Sequence, residues 1–181
     1  PDLAAATRSV FEAKGRPTGL SLPVLTTSDV QAWEVARPDE RALLLAARFW
    51  PGPLTMALPR APRSSGWALG DATDTVAVRV PGHRLARRVL DRAGPLAVTS
   101  ANRSGQPPLS SGGELQEAFG AAVALYLFED EPRTRGDEAG ASTVVDLTGP
   151  RTRVTREGTI RSRAVEEALA NAVDTRPERP R

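Results

Sequence analysis

The chain contains no cysteine among its 181 residues, which excludes disulfide scaffolds, thiol nucleophiles and thiolate zinc sites together and fits a reducing compartment. Its one histidine, His83, cannot build a two-histidine zinc motif. No resident metal site is therefore expected, and any metal is expected to arrive with a substrate. Apolar runs are short, the longest being Ala42–Ala47 and Ala121–Phe128, against the roughly 20 residues a membrane helix needs. A cytoplasmic protein with no membrane partner is expected. Lysine is almost missing: of 24 cations, 23 are arginine and one is Lys14. Against 22 carboxylates the net charge is only +2, so whole-chain charge does not demand nucleic acid. Aromatics make up 4%, and the three tryptophans form no stacking platform for single strands. Pro1-Asp2-Leu3-Ala4 has no initiator methionine, basic n-region or apolar h-region, so it reads as neither a signal peptide nor a natural start.

What remains is an ordinary globular composition, 40% hydrophobic and 25% charged, in a length that suits one domain. Leu3–Ala13 has helical spacing and stops at Lys14-Gly15-Arg16. Leu20–Leu25 reads as an edge or bulged strand because of Pro23. Thr27 or Ser28 caps a helix to Ala36, and Pro38-Asp39-Glu40 opens a stronger one that ends at Pro51. Leu54–Leu58 and Thr75–Val80 read as strands joined by a surface loop, Arg60–Asp71. Leu85–Asp91 is a basic helix, and Leu96–Thr99 is a strand running into a polar turn. Glu114–Phe119 is a helix, then Ala122–Phe128, Thr143–Leu147 and Thr152–Thr155 are strands, and Arg163–Ala172 closes the order as a helix. Interleaved helices and strands predict an α/β or α+β sheet domain. One domain over 1–172 is expected, followed by a charged, proline-rich, disordered tail, 173–181.

Three segments carry candidate chemistry. Lys14-Gly15-Arg16-Pro17 sets two cations around a glycine, which suits either a phosphate clamp or a helix C-terminus. Thr99-Ser100-Ala101-Asn102-Arg103-Ser104-Gly105 follows a strand with hydroxyls and an amide, suiting a ligand at a sheet's carboxyl edge or an ordinary turn. In Asp74-Thr75-Val76-Ala77-Val78-Arg79-Val80-Pro81, strand alternation turns the valines one way and Thr75 and Arg79 the other. Arg79 then needs an anion, either a structural carboxylate such as Asp74 or Asp146 or a substrate carboxylate. Pro51-Gly52-Pro53-Leu54-Thr55 reads as a structural turn and His83 as a surface cap. Arg84, Arg87, Arg88 and Arg92 form a stripe that is either a solvated face or an RNA-phosphate contact.

In order, these segments resemble the YrdC/Sua5 family of L-threonylcarbamoyladenylate synthases. The matching runs are Phe11–Pro17, Phe49–Thr55, Asp74–Pro81, Pro95–Gly105 and Ser142–Asp146, spread over about residues 3 to 172. The resemblance implies a twisted open mixed sheet with flanking helices and a large, positively charged concave cleft. It also implies formation of threonylcarbamoyl-AMP and pyrophosphate from L-threonine, bicarbonate and ATP with Mg2+. A threonylcarbamoyl-transferase complex then moves the group to adenosine 37 of tRNA. Carried over by position, Lys14, Arg16, Thr75, Ser100, Asn102 and Arg156 would face ATP, and Arg79, Ser142 and the backbone of Val98 would hold threonine.

The sequence departs from the family in four places. The family's first strand and its Pro-Thr-(Glu/Asp)-Thr-x-Tyr-Gly-Leu segment are expected upstream of Pro1, and without them the stretch is expected to be inactive or poorly stable. Leu20 and Leu25 stand where many members carry polar contacts. Glu157 replaces a proline beside Arg156, and the chain stops without the longer members' extra domain. Two alternatives share the fold: a non-catalytic module binding tRNA or double-stranded RNA, and a domain of a larger carbamoyltransferase such as a hydrogenase-maturation protein.

Overall fold

A computed structural model describes residues 4–107, 109, 111–128 and 140–174, the side chains of 172–174 apart. The elements are α1 (Ala4–Lys14), β1 (Val24–Leu25), α2 (Asp29–Val35), α3 (Glu40–Phe49), β2 (Leu54–Pro59), β3 (Thr75–Arg79), α4 (Arg84–Ala93), β4 (Leu96–Ala97), α5 (Gly112–Phe119), β5 (Thr143–Asp146), β6 (Arg153–Arg156) and α6 (Ser162–Asp174). The six strands form one mixed sheet in the order β4-β1-β3-β2-β5-β6. The pairs β1–β3 and β2–β5 are parallel and the other three antiparallel. The expected open mixed sheet with flanking helices is therefore present. No helix among the described residues is long and apolar enough to cross a membrane.

Local chemistry starts the helices where the sequence predicts. Ser28 caps α2 by accepting from the Gln31 N–H, and Asp39 caps α3 by accepting from Ala42, each satisfying a donor the first turn leaves orphaned. Ser111 and Glu114 cap α5 reciprocally. His83 is the N-cap of α4, its Nδ1 accepting from Ala86 at 3.4 Å, which bears out its reading as a cap.

Strand alternation gives the sheet two unlike faces. The register pairs Met56 with Val78 and with Val145, so Leu54, Met56, Leu58, Val76, Val78 and Val145 share a face. These join Leu45 and Ala46 of α3 and Val165 of α6 in one buried cluster. Burying each such side chain contributes about 1.5–3 kcal/mol. Ala57 pairs with Ala77, Thr55 with Val144, and Val144 with Arg156. Residues two apart on a strand share a face, so Thr55, Thr75, Arg79 and Arg156 all lie on the other side.

Some expectations need correcting. Ala122–Phe128 is not a strand: it follows a one-turn 3-10 helix at Gly120–Ala122 and is otherwise irregular. Leu125 and Leu127 in it are 70% and 53% exposed, because neither edge strand of the sheet, β4 or β6, pairs with it. Leu20–Leu25 shrinks to Val24–Leu25, since Pro23 has no N–H to give a ladder. Pro23 contributes only its carbonyl, to Val98 N at 2.9 Å. The loop after β2 is pinned from within by buried Arg60, which donates to the carbonyls of Ser64, Trp67, Ala72 and Thr75 at 2.7–2.9 Å. Helix α6 runs to Asp174, and the rest of the expected tail, 175–181, lies outside the described residues.

Candidate functional site

The last turn of α1 delivers Lys14, and Gly15, with φ 60, turns the chain so that Arg16 follows. A left-handed backbone of this kind favours glycine. Lys14 is 4% exposed, and its three ammonium protons are all spent. They go to Ser100 O at 2.8 Å, Asn102 Oδ1 at 2.8 Å and the Asn102 carbonyl. Ser104 N donates back to Lys14 O at 3.0 Å. Across 86 and 88 residues of sequence, Lys14 thus fastens the 100–104 turn to the end of α1. Asn102 is equally committed: Oδ1 also accepts from Ser100 Oγ at 2.6 Å, and Nδ2 donates to Arg103 O and Gln106 O.

On the polar sheet face, Arg79 donates from Nε to Gly52 O at 2.9 Å. Gly52 is required there, because a Cβ would collide with the carbonyl of Phe49. The Trp50–Pro51 peptide in this turn is cis. Burial, and secondarily the charge of Arg156, push the Arg79 guanidinium down to about 10 from its ordinary value. The carboxylates considered as structural partners are engaged elsewhere: Asp146 accepts from Thr148 at 2.6 Å and pairs with Arg153 at 2.7 Å, and Asp74 accepts from Thr73.

Arg156, at the end of β6, donates from Nε and Nη2 to Ser142 O at 3.1 and 2.9 Å, and from Nη2 to Ser142 Oγ at 3.0 Å. Gly158 lets this corner close, since a Cβ would collide with the carbonyl of Ala141 and the backbone of Ser142. Ser142 Oγ also lies 2.8 Å from Thr55 Oγ1. Glu157, a departure from the family beside Arg156, points elsewhere. It accepts from Ser162 N and Oγ at 2.8 and 2.6 Å and from Arg161 at 3.1 Å. The Ser162 hydroxyl and N–H, helped by Arg161, hold its carboxyl well down, at about 2.

The cations sense one another. Lys14 is lowered by burial and then by Arg16, and Arg16 by burial and then by Arg156, as Arg79 is. Arg16 is held by Leu20 O at 2.7 Å and Ser21 O at 3.2 Å. Among the described residues, none of Lys14, Arg16 and Arg156 reaches a carboxylate at ion-pair distance, while Arg41, Arg63, Arg153, Arg161 and Arg163 all do. Burial is the larger cause for each of the three lowered groups, and three of the four cations have no acid partner among the described residues.

Of the expected residues, Lys14, Ser100 and Asn102 form one bonded cluster, and Ser142 and Arg156 another, which Thr55 joins. Arg16 and Arg79 are tied to Arg156 through charge. Thr75 shares the polar sheet face. Val98 spends its N–H on Pro23, leaving its carbonyl. Leu25 is half-buried beside Arg79 in the register, and Leu20 is 52% exposed. The α4 arginines are exposed. One hydroxyl of the site, that of Thr55, is missed by sequence reasoning. Thr55 was read as part of a structural turn, although its place two residues from Ala57 on β2 was the available signal. Thr99 Oγ1, in the polar turn named from the sequence, is buried without a partner among the described residues. A cavity of about 360 Å3 next to Lys14 is lined by Thr99, Ser100, Leu115, Phe119 and Tyr126. One of about 650 Å3 lies between α1, Arg16 and residues 68–71.

Fold and site together define an α/β protein with two arginines, Arg79 and Arg156, on the polar face of a mixed sheet. The family model for Sua5, YciO and YrdC proteins, described as telomere recombination, matches residues 1–158, and the chain belongs to that family. A Mycobacterium tuberculosis protein, named provisionally as a threonylcarbamoyl-AMP synthase, is 37% identical over 167 residues, 91% of this chain and 74% of that one. Pyrococcus abyssi Sua5, solved with L-threonine, superposes with a TM-score of 0.75 at 34% identity over 91% of this chain. The chain spans about half of that one, 48%. Escherichia coli YciO, with a TM-score of 0.73 at 21% identity over 89% of this chain and 77% of that one, shares the fold.

Proposed function

We propose that the chain is a threonylcarbamoyl-AMP synthase domain, making threonylcarbamoyl-AMP and pyrophosphate from L-threonine, bicarbonate and ATP for tRNA modification. The observation that supports this most is that, among the described residues, Lys14, Arg16 and Arg156 reach no carboxylate at ion-pair distance while five other arginines do, in a chain 37% identical to a relative named for that activity. In this reading Arg79 holds the threonine carboxylate, with Ser142 and the carbonyl of Val98 completing the amino-acid pocket. Arg16, Arg156, Ser100 and Thr75 face the nucleotide. Lys14 and Asn102 set the shape of the 100–104 turn, and Lys14 adds its charge. To bond a phosphate directly it exchanges one carbonyl.

The threonine amine captures bicarbonate as a carbamate with loss of water. A carbamate oxygen attacks the α-phosphorus, and the bond to the pyrophosphate oxygen breaks. Both reactants are anionic, so the cations serve the reaction by alignment and by neutralising charge on the leaving pyrophosphate. Each effect is worth several kcal/mol. Mg2+ fits as part of the substrate Mg–ATP rather than as a resident ion. The donors at the site are neutral oxygens and cations, and no group of three acidic or histidine ligands occurs among the described residues. The product would pass to a threonylcarbamoyl-transferase complex acting on tRNA. The test is pyrophosphate release from Mg–ATP and bicarbonate by purified protein: release that requires threonine supports the reading, and release indifferent to threonine, or none, contradicts it.

A further inference from the structure

The antiparallel ladder between β5 and β6 stops at the Val144–Arg156 pair, and the chain then leaves the sheet for α6. Backbone groups in such an exit need partners other than the ladder. The Thr143 side chain serves three of them. Its Oγ1 accepts from Gly158 N at 3.0 Å and from Ile160 N at 3.1 Å, and it donates to Ile160 O at 2.5 Å. Chemistry fixes the direction of every bond, because the two amides can only donate and the carbonyl can only accept. The hydroxyl proton and both lone pairs are therefore used, in a residue that is 0% exposed.

The neighbours of this node belong to the candidate site. Ser142 precedes Thr143, and Arg156 lies two residues before Gly158. Arg156 reaches Ser142 through three bonds of 2.9–3.1 Å from Nε and Nη2, so Nη1 alone has no protein partner among the described residues. Thr159 N closes the outer side by donating to Ala141 O at 3.0 Å, and Thr143 N donates to Pro53 O at 2.9 Å. The node thus ties the exit of β6 both to β5 and to the turn before β2. Glu157 does not share this task, since its bonds go to Arg161 and Ser162.

We infer that Thr143 is a positioning residue for Arg156: its hydroxyl fastens residues 158–160 to β5, which keeps the guanidinium against Ser142 with Nη1 left for an anionic substrate. Thr143 itself touches no substrate. The inference rests on the reading of Arg156 as a cation that faces the nucleotide.

The experiment compares wild type, Thr143→Val and Thr143→Ser, each with and without Arg156→Met. Three quantities are measured: the melting temperature, kcat/KM for ATP in pyrophosphate release, and the NMR resonance of the Arg156 Nε–H, identified as the one that Arg156→Met removes. Valine keeps the bulk but leaves two amides and a carbonyl without a partner, and serine restores the hydroxyl. Thr143→Val is expected to melt lower, to shift the Arg156 resonance and to lose about tenfold in kcat/KM, the scale of one misplaced hydrogen bond to a charged group. Thr143→Ser returns close to wild type. In the Arg156→Met background valine still lowers the melting temperature but changes kcat/KM by less than about twofold, because the two residues act as one unit. An Arg156 resonance unmoved in Thr143→Val, a tenfold loss that recurs without Arg156, or Thr143→Ser as impaired as Thr143→Val would overturn the inference and mark Thr143 as packing. Should Thr143→Val not fold, Thr143→Cys, whose thiol is a weaker donor and acceptor, goes through the same comparison with smaller effects in the same direction. Unchanged kcat/KM in Arg156→Met alone sinks the nucleotide reading of Arg156, and the resonance then decides the positioning role by itself.

Discussion

On one side of the sheet lie Leu54, Met56, Leu58, Val76, Val78 and Val145, all packed beneath helices. On the other lie Thr55, Arg79 and Arg156, interleaved with them residue by residue along the same strands. The first set lowers the free energy of the folded chain by leaving water. The second holds Arg79 where burial, and secondarily the charge of Arg156, disfavours its charged form. One face makes the protein stable, and the other spends part of that stability on holding a half-buried cation, which the proposed function assigns to an anionic substrate. Arg60 shows that burial alone does not create such a site: its guanidinium donates to three carbonyls of its own loop and to that of Thr75 at the start of β3, so it staples rather than binds.

Crossing the two faces by mutation should separate activity from stability. Arg79→Met keeps the apolar stem and removes the charge. Pyrophosphate release should fall by about 100-fold or more, as for loss of one preorganised charge-stabilising donor. The melting temperature should hold or rise, because a cation whose folded pKa is depressed costs stability wherever it is charged in both states, below about pH 10. Met56→Ala should do the reverse, costing about 2–5 kcal/mol of stability while the KM values of the folded molecules stay as in wild type. Loss of activity and stability together in both variants would erase the distinction.

A smaller effect is expected at Glu157, which stands next to the polar face in sequence but serves α6. Its carboxyl, held at about 2, contributes stability that is fully present above its ordinary range near 4.5 and is lost as pH falls toward 2. Glu157→Gln should flatten the acid limb of the melting-temperature profile in that window and leave pyrophosphate release at neutral pH unchanged. A loss of activity would instead place Glu157 in the site.

Much of this division was legible before any coordinates. The alternation in Thr75–Val80 separates a valine face from Arg79, and the cap residues Ser28, Asp39 and His83 mark helix starts. Gly52, whose carbonyl accepts from Arg79, sits in a motif that carries the family resemblance. Three features were not legible. The run Ala122–Phe128 is short and apolar like a buried strand, but a strand exists only if an edge accepts it, and partner availability is a property of the whole sheet. Lys14 was visible as a lone lysine, yet that its protons would be spent on the 100–102 turn depends on contacts 86 to 88 residues away. Thr55 looked structural because its partner, Ser142, is 87 residues distant.

The central claim is that the polar face of the sheet binds the nucleotide and amino acid together. A crystal structure with threonine and a non-hydrolysable ATP analogue with Mg2+ tests it most directly. The account predicts triphosphate oxygens within hydrogen-bond distance of Arg16, Ser100 and Arg156 and a threonine carboxylate on Arg79. A nucleotide seated elsewhere, for example along the exposed arginines of α4, would contradict it.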